Sequence, residues 1–551
     1  MVEQISSLIL KRRKLILGIV IVLTLGLGWA ITRLQIVTDF EAFFLPGDPD
    51  LQSYTELKKH FGSDEFILIA YEAPESIFTK ETLSEIAEIT QRIQGAPNTA
   101  TTLSLTNAKE FKSTKDGLPV GVPIVEDVSL SRLGAAIVKT KIEENPFYDN
   151  LLVSEDDKTA FIVVQMRNPG NDNFVRLEMT KAIEEVIAPF DKGNIHIAGT
   201  PIYLTELYRL ILSNLVILGG AAALLVVLLL WLSLRSFTGI IIPITILLLS
   251  VVWNMGIFGA AGAPLTIASS VVVPLIVAIS VTNSIHFLLA YTGFLDEEKT
   301  PEKALLRAMT HIIPPAFYSS FTTAVGFLTL TSARVLPVVQ TGLYTAAGVM
   351  ASFVLTITVI PIVLSYFPKA PAKIPQREGE DADILSRILD KFADLNLTKA
   401  PFLVVGWLAL AIGAGAAISL IRVETNPLTF FKKGSPMQQT HAYFEEKLGG
   451  TLPFEMIVQG EKGDFKDLRN YANLSRLERY LDSIKELHGV VGTPDVVREV
   501  HNALSGDGRK LPYDHSTFSG ETRLIDLARN QFPPINQFID RDWSQARFTS
   551  R

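Results

Sequence analysis

Residues 236–295 form a run of 60 positions without Asp, Glu, Lys or Arg, and the polar side chains inside it are the ones placed to do chemistry. Thr282, Asn283 and His286 are the most concentrated of them. His286 follows Asn283 by three residues and Thr282 by four, so on a helix all three share one face. An imidazole with an ordinary pKa near 6.5 could exchange protons at physiological pH. It could equally stay neutral and hydrogen-bond a neighbouring helix, as polar residues between apolar helices commonly do. Asn254, and Ser319, Ser320, Thr322 and Thr323 further along, could line the same polar seam or serve as packing contacts.

Outside that run the usual catalytic constellations are missing. His60, His196, His441, His488, His501 and His515 are scattered without ligand spacing, and no metal site is expected. There is no cysteine, which removes disulfides, thiolate metal sites and a cysteine nucleophile. No phosphate-cradling loop with the spacing G-x-x-x-x-G-K-[ST] occurs, so neither a nucleotide nor another cofactor is expected. The net charge of −7 is mild and no basic stripe carries interleaved aromatics, so nucleic acid is not expected as a partner. An enzyme has little support.

The element that must position the polar face is a membrane helix. A span needs about 20 apolar residues, far fewer than the uncharged run supplies. Uncharged apolar stretches give seven candidate spans, at 15–31, 210–234, 237–258, 264–291, 312–333, 335–367 and 400–421. Gly259, Gly262 and Pro264 punctuate the turn between the third and fourth. Lys11, Arg12, Arg13 and Lys14 precede the first span, which puts the N-terminus in the cytoplasm. Arg235, then Lys299, Lys303 and Arg307, and then Lys369, Lys373 and Arg377 fall on the same side, with Arg334 alone against them. A cleavable signal peptide is the competing reading of the first span. Gly219-Gly220 and Gly326 are expected to let helices approach closely.

Two outer segments flank the central spans, at 35–209 and 422–551. Thr38, Asp39, Phe43 and Phe44 correspond to Thr425, Asn426, Phe430 and Phe431 at a constant offset of 387, and Phe61-Gly62 to Leu448-Gly449. A fixed offset of this kind indicates a duplicated half. In the first copy, residues 65–71, 99–105, 160–166 and 194–198 read as strands, and 79–94 and 173–189 as helices. The order β-α-β-β-α-β is the split βαβ, ferredoxin-like pattern. The second copy repeats its beginning, with a strand at 454–459 and a helix burying Leu474, Leu477, Leu481 and Ile484. Its last residues, Ala546-Arg547-Phe548, correspond to Ala160-Phe161-Ile162, so a poorly packed C-terminal segment is expected unless a partner completes it. Asp39, where the chain leaves the membrane, is expected to be solvated.

One span, an outer α/β domain, five close-packed spans, then the same beginning again: this layout resembles the RND superfamily, in particular its MMPL, Patched-like and predicted-exporter branches. Local motifs carry the resemblance in order. Gly199-Thr200-Pro201 enters span two, Leu234-Arg235-Ser236 marks the following turn, and Pro243 lies in span three. Ser284-Ile285-His286 lies in span four, and Ser320-Phe321-Thr322-Thr323-Ala324-Val325-Gly326-Phe327 in span five. Spans two to six resemble what is called a sterol-sensing domain in eukaryotic relatives.

The resemblance implies a polytopic α-helical membrane protein with extracytoplasmic ferredoxin-like α/β domains, in an RND-type duplicated architecture whose second half is cut short. Its domains would be 1–34 (tail and first span), 35–209 (first outer domain), 210–367 (five-span bundle), 368–399 (cytoplasmic linker), 400–421 (seventh span) and 422–551 (partial second outer domain). The implied activity is ion-gradient-driven export of lipids or other hydrophobic molecules from the cell (inner or plasma) membrane. The implied partners are membrane lipids, the hydrophobic substrate, and either further copies or a chain completing the second half. Related exporters carry an acidic residue just before the Ser-Ile-His stretch, where this chain has Asn283. An amide does not titrate, so proton coupling at that position does not carry over. A non-transporting lipid sensor or scaffold, or an inactive exporter fragment, stands as the alternative.

Overall fold

The computed structural model describes residues 2–550 except 62–64, 114–118, 126–131, 146, 149–150, 168–171, 235, 299, 369–383, 422–425, 452–453, 507–509, 513 and 530–532. Arg235, Lys299, Lys369, Lys373, Arg377, Gly62 and Thr425, invoked above, lie outside the described residues.

The chain opens with a short helix, α1 (Val2–Lys11), and a first long apolar helix, α2 (Arg13–Ile31). A 3₁₀ turn over Phe40–Phe43 and helix α3 (Pro49–Phe61) lead to the first sheet. There β1 (Phe66–Glu72), α4 (Lys80–Gln94), β2 (Thr99–Leu103), β3 (Lys109–Ser113), β4 (Pro119–Pro123) and α5 (Arg132–Glu143) come first. They are followed by β5 (Thr159–Met166), α6 (Asn173–Ile187) and β6 (Ile195–Gly199). The sheet runs β2-β5-β1-β6 with every neighbouring pair antiparallel, which is the split βαβ arrangement. Side chains alternate across it: Ile67 and Ile69 join the core with α4 and α6, whereas Leu68 and Ala70 join a separate cluster on the other face. On α4, Thr79 caps the start by accepting from the Thr82 N–H, and Leu83, Ile86, Ile89 and Ile93 are all fully buried. The β3–β4 hairpin and α5 are inserted between β2 and β5, and the hydrophobic pattern gives no sign of them.

Helix α7 (Thr200–Leu234) continues directly from β6. After it come α8 (Phe237–Ala260), α9 (Val272–Glu297), α10 (Pro301–Leu328), α11 (Leu336–Tyr366), α12 (Ile384–Thr398) and α13 (Ala400–Ala417). Inside a bilayer the backbone must satisfy its own hydrogen bonds, which is why these apolar runs are helices. Among the described residues six helices are long and apolar enough to cross a membrane: α2, α7, α8, α9 with the turn before it, α11, and α13 with the turn after it. The expected span at 312–333 is not one of them. It falls on the second half of α10, where Pro314, Pro315, Ser319, Ser320, Thr322 and Thr323 dilute the apolar residues, although α10 still packs along α9 and α11. Val22, Leu25, Val216, Leu224 and Val404 are exposed, an apolar exterior suited to lipid.

Lipid tails are as apolar as leucine, so close backbone approach holds such helices together better than burial does. Helix α2 meets α8 this way. A Cβ on Gly259 would lie 2.1 Å from the Ala30 carbonyl oxygen, and one on Gly256 would lie 2.5 Å from Leu27 Cβ. Of the three glycines expected to let helices approach closely, Gly219 has such a neighbour, with Val273 Cγ1 at 3.1 Å, while Gly220 and Gly326 face open space.

The second outer segment holds α14 (Pro436–Leu448), β7 (Phe454–Gln459), α15 (Leu468–Asp482), β8 (Val491–Gly492), α16 (Thr493–Ser505), α17 (His515–Ala528) and β9 (Gln545–Ser550). Its sheet runs β7-β9-β8, antiparallel, repeating the order β1-β5-β2. The expectation of a poorly packed C-terminal segment is wrong. Strand β9 is the middle strand, and Trp543, Ala546 and Phe548 are buried against Tyr471, Val497, Phe518 and Ile525. The apolar faces of α16 and α17, inserted between β8 and β9, supply the core that the repeat comparison leaves out. The two outer segments also interlock: Phe444 and Leu448 of α14 cover the free face of the first sheet beside Leu68 and Phe161.

Inside the second segment the Arg498 guanidinium is shared by two buried carboxylates, Glu478 at 2.7 Å and Asp495 at 2.5 Å. Burial and the neighbouring Asp495 charge push the Glu478 carboxyl from 4.5 up to about 8. The folded state therefore holds a proton that the unfolded chain has released. The associated stability is fully present below 4.5 and is lost as pH rises through about 8.

Two stability measurements follow. Gly259→Leu should lower stability by about 1–3 kcal/mol, read as an earlier unfolding midpoint in detergent, while Gly220→Leu should leave it unchanged. Glu478→Gln should flatten the fall in melting temperature between pH 4.5 and about 8 that the native protein shows. An equally steep fall in the variant would assign it to other groups.

Candidate functional site

The polar residues of the bundle sort themselves by helix face. Asn283 is buried, 8% exposed, and its Nδ2 donates to Ser320 Oγ at 3.3 Å, linking α9 to α10. Thr282 and His286 are exposed, and the Thr282 hydroxyl turns back to the Ala278 carbonyl at 3.0 Å. The three residues do not form one inward face. Positions 282 and 286 are four apart and lie together, whereas 283 is about 100° further round the helix. Asn283 instead shares its buried side with Ser280, Ser284 and Phe287.

Helix α10 divides in the same way. Ser320 is buried, Ser319 and Thr322 are exposed, and Thr323 is half-buried. Thr322 and Thr323 each return a hydroxyl to their own helix, to the carbonyls of Tyr318 and Ser319 at 2.8 Å. Of the residues expected on a seam, Asn283 and Ser320 are brought together.

Asn254 belongs to a second polar line. It is fully buried, donates to the Tyr344 carbonyl at 3.1 Å, and fills the space beside Gly348, where a Cβ would lie 1.9 Å from its Nδ2. Ser250 Oγ, Asn254 Oδ1, Thr345 Oγ1 and Ser352 Oγ are buried without a hydrogen-bond partner among the described residues. Thr341, Thr345, Ser352 and Thr356 recur along one face of α11, a spacing legible in the sequence and not used above. All of these groups are neutral. They can solvate water or a cation but cannot donate a proton at physiological pH.

At the base of the first outer domain a charged cluster joins several segments. Arg176, 1% exposed on α6, donates from Nε and Nη2 to Glu65 at 2.8 and 2.7 Å, and Nη2 also meets Asp39 Oδ1 at 2.5 Å. Asp39, expected from the sequence to be solvated, is instead 3% exposed. The stretch before it is clamped on both sides. Val37 N–H donates to the Leu265 carbonyl in the turn between α8 and α9, and Leu265 N–H to Gln35. The Asn173 side chain donates to the Ile36 carbonyl and accepts from the Thr38 hydroxyl, both at 2.8 Å. In the repeat, Asn426 stands at this position and accepts from the Leu428 N–H at 3.0 Å.

Between the two outer sheets lies a mainly apolar cavity of about 220 Å³. Phe66, Leu68 and Val163 form one wall, and Leu448, Val491 and Phe538 the other. Its polar edge is the Arg547–Glu455 pair, in which Arg547 donates to both carboxylate oxygens, with the guanidinium stacked 5.7 Å from the Phe61 ring. The volume is just under the roughly 300–1,000 Å³ typical of small-molecule pockets, enough for part of an apolar ligand. Among the described residues no group of His, Asp or Glu could hold a metal ion.

Residues 72–393 match the MMPL family. A protein of Methanocaldococcus jannaschii, described as a membrane protein, is 22% identical over 365 residues, which cover 64% of this chain and 89% of that one. The NPC intracellular cholesterol transporter 1 of Sus scrofa is 37% identical over 120 residues, 21% of this chain and 9% of that much longer protein. The family match takes in more than half of the chain, including β5, the first sheet's last helix and strand, and helices α7 to α11. The chain is a multi-pass membrane protein of the MMPL family.

Proposed function

We propose that the protein moves lipids or other hydrophobic molecules out of the cell membrane, drawing on an ion gradient. The observation that carries this is the apolar cavity between the outer sheets, which gives a hydrophobic molecule a place to leave the lipid without meeting water. Membership of the MMPL family and the partial likeness to a protein named as a cholesterol transporter support the same class of cargo. The basic residues Lys11, Arg12, Arg13 and Lys14 ahead of α2 argue for a cytoplasmic N-terminus and so for a first α/β domain outside the inner or plasma membrane, and the packing of α14 on the first sheet argues for the second domain on the same side. Further copies of the chain, or one completing its second half, would be its protein partners.

A second reading has its own observation. Residues 236–295 hold no carboxylate, so the bundle lacks an acid to relay protons, and a lipid sensor would need none. Vesicles separate the two. The full-length protein, reconstituted with a fluorescent phospholipid, should move the label faster under an imposed proton or sodium gradient than without one. Filling the cavity with Val163→Trp should reduce this to the level of protein-free vesicles while the melting temperature stays near that of the native protein. Label binding with no gradient-dependent movement would favour the sensor.

A further inference from the structure

Among the described residues the cluster around Arg176 contains one guanidinium and two carboxylates, so with both acids ionised these groups carry an excess negative charge where all three are at most 4% exposed. Glu65 takes the better geometry, with both oxygens bonded to Arg176. Asp39 is left with a single shared contact at Oδ1, and its Oδ2 is buried with no hydrogen-bond partner among the described residues. A lone ionised carboxylate oxygen in such a place is costly, and the usual relief is neutralisation of the group. We propose that Asp39 Oδ2 is a proton-binding site at the junction between the membrane bundle and the first outer domain. One O–H bond forms there while the junction is closed, with the proton taken from the aqueous phase, and it breaks when water enters.

The surroundings favour a proton over a metal ion. Asn173 Oδ1 already accepts from the Thr38 hydroxyl at 2.8 Å and from Arg176 Nη1 at 3.1 Å, and the guanidinium that touches Asp39 would repel a cation placed beside it. The other charges near Asp39 are accounted for. Glu41, on its own turn, is paired with Lys58 at 2.7 Å. On α6, Asp172 accepts from the Phe174 N–H and Glu178 from Asn98. On α7, Tyr203 stacks on Phe40 and Glu206 is paired with Arg209. Helix α11, which touches the 3₁₀ turn, carries no Asp, Glu, His, Lys or Arg along its length. Burial raises the Asp39 carboxyl above its usual 3.8, against the pull of Arg176. In the duplicated half the corresponding residue is Asn426, so the site exists once.

The position gives the proton leverage. Residues 35–38 are hydrogen-bonded to Leu265 of the bundle on one side and to Asn173 of the outer domain on the other. Losing the proton would leave an uncompensated charge where these pieces meet and favour a looser junction. The inference needs only the cluster itself and stands whether the protein transports or senses.

Infrared difference spectra of the full-length protein in lipid nanodiscs, titrated with acid, test it without any cargo. Beyond the contribution of Glu478, the native protein should show a second un-ionised carboxyl absorption persisting above pH 3.8. Asp39→Asn should remove that component, and Glu65→Gln, which leaves Arg176 to Asp39, should move it to lower pH. If Asp39→Asn does not fold, the Glu65→Gln displacement decides alone. Spectra identical in native and variant proteins, or a component that follows sodium concentration and ignores pH, would overturn the proposal.

Discussion

A guanidinium that is 1% exposed must be met by groups as deeply buried as itself, and Arg176 sets much of the architecture through that requirement. Its carboxylate partners come from the residue before β1 and from the chain leaving α2. Satisfying it therefore fixes the first sheet, α6 and the membrane exit relative to one another. Through Val37 and Leu265 the same residues reach the turn between α8 and α9. Helix α7, which grows directly out of β6, completes the connection on the other side. Removing one partner from a buried group of this kind costs about 3–5 kcal/mol, because the remaining charge is stranded.

Above this junction the two outer segments depend on each other. A ferredoxin-like sheet covers one face with its own helices and leaves the other open, and here α14 from the second segment closes it. Phe61, at the end of the corresponding helix α3, reaches Arg547 on the second sheet. The exchange explains why a cavity forms between the sheets at all. Each sheet is held at a distance set by a helix end and an aromatic ring, and the space left over is lined by the same β-face residues that would otherwise be exposed.

Much of this was legible from pattern alone. The strands of the first sheet are rich in β-formers, α4 repeats its apolar residues at helical spacing, and the apolar runs that became α2, α7, α8, α9, α11 and α13 need no tertiary information. Facing is another matter. Thr282, Asn283 and His286 lie close enough in sequence to suggest one face, yet packing against α10 selected Asn283 and left the other two outward. Asp39 looked solvated because Arg176, which it meets in the fold, is more than a hundred positions away. The C-terminal core depends on α16 and α17, which stand where the first copy has the β3–β4 hairpin and α5, segments that the hydrophobic pattern did not reveal in either copy. The hydroxyl face of α11 was readable from its spacing, but small polar residues in an apolar helix resemble ordinary packing until their oxygens prove unpartnered.

The account rests on a hydrophobic molecule entering the space between the outer sheets. Photocrosslinking tests this most directly: a lipid carrying a photoreactive acyl chain, added to the full-length protein in membranes, should label β1, β5 and α14 around Leu68, Val163 and Leu448. Labelling confined to outward positions such as Val22 and Leu224, with none between the sheets, would contradict it.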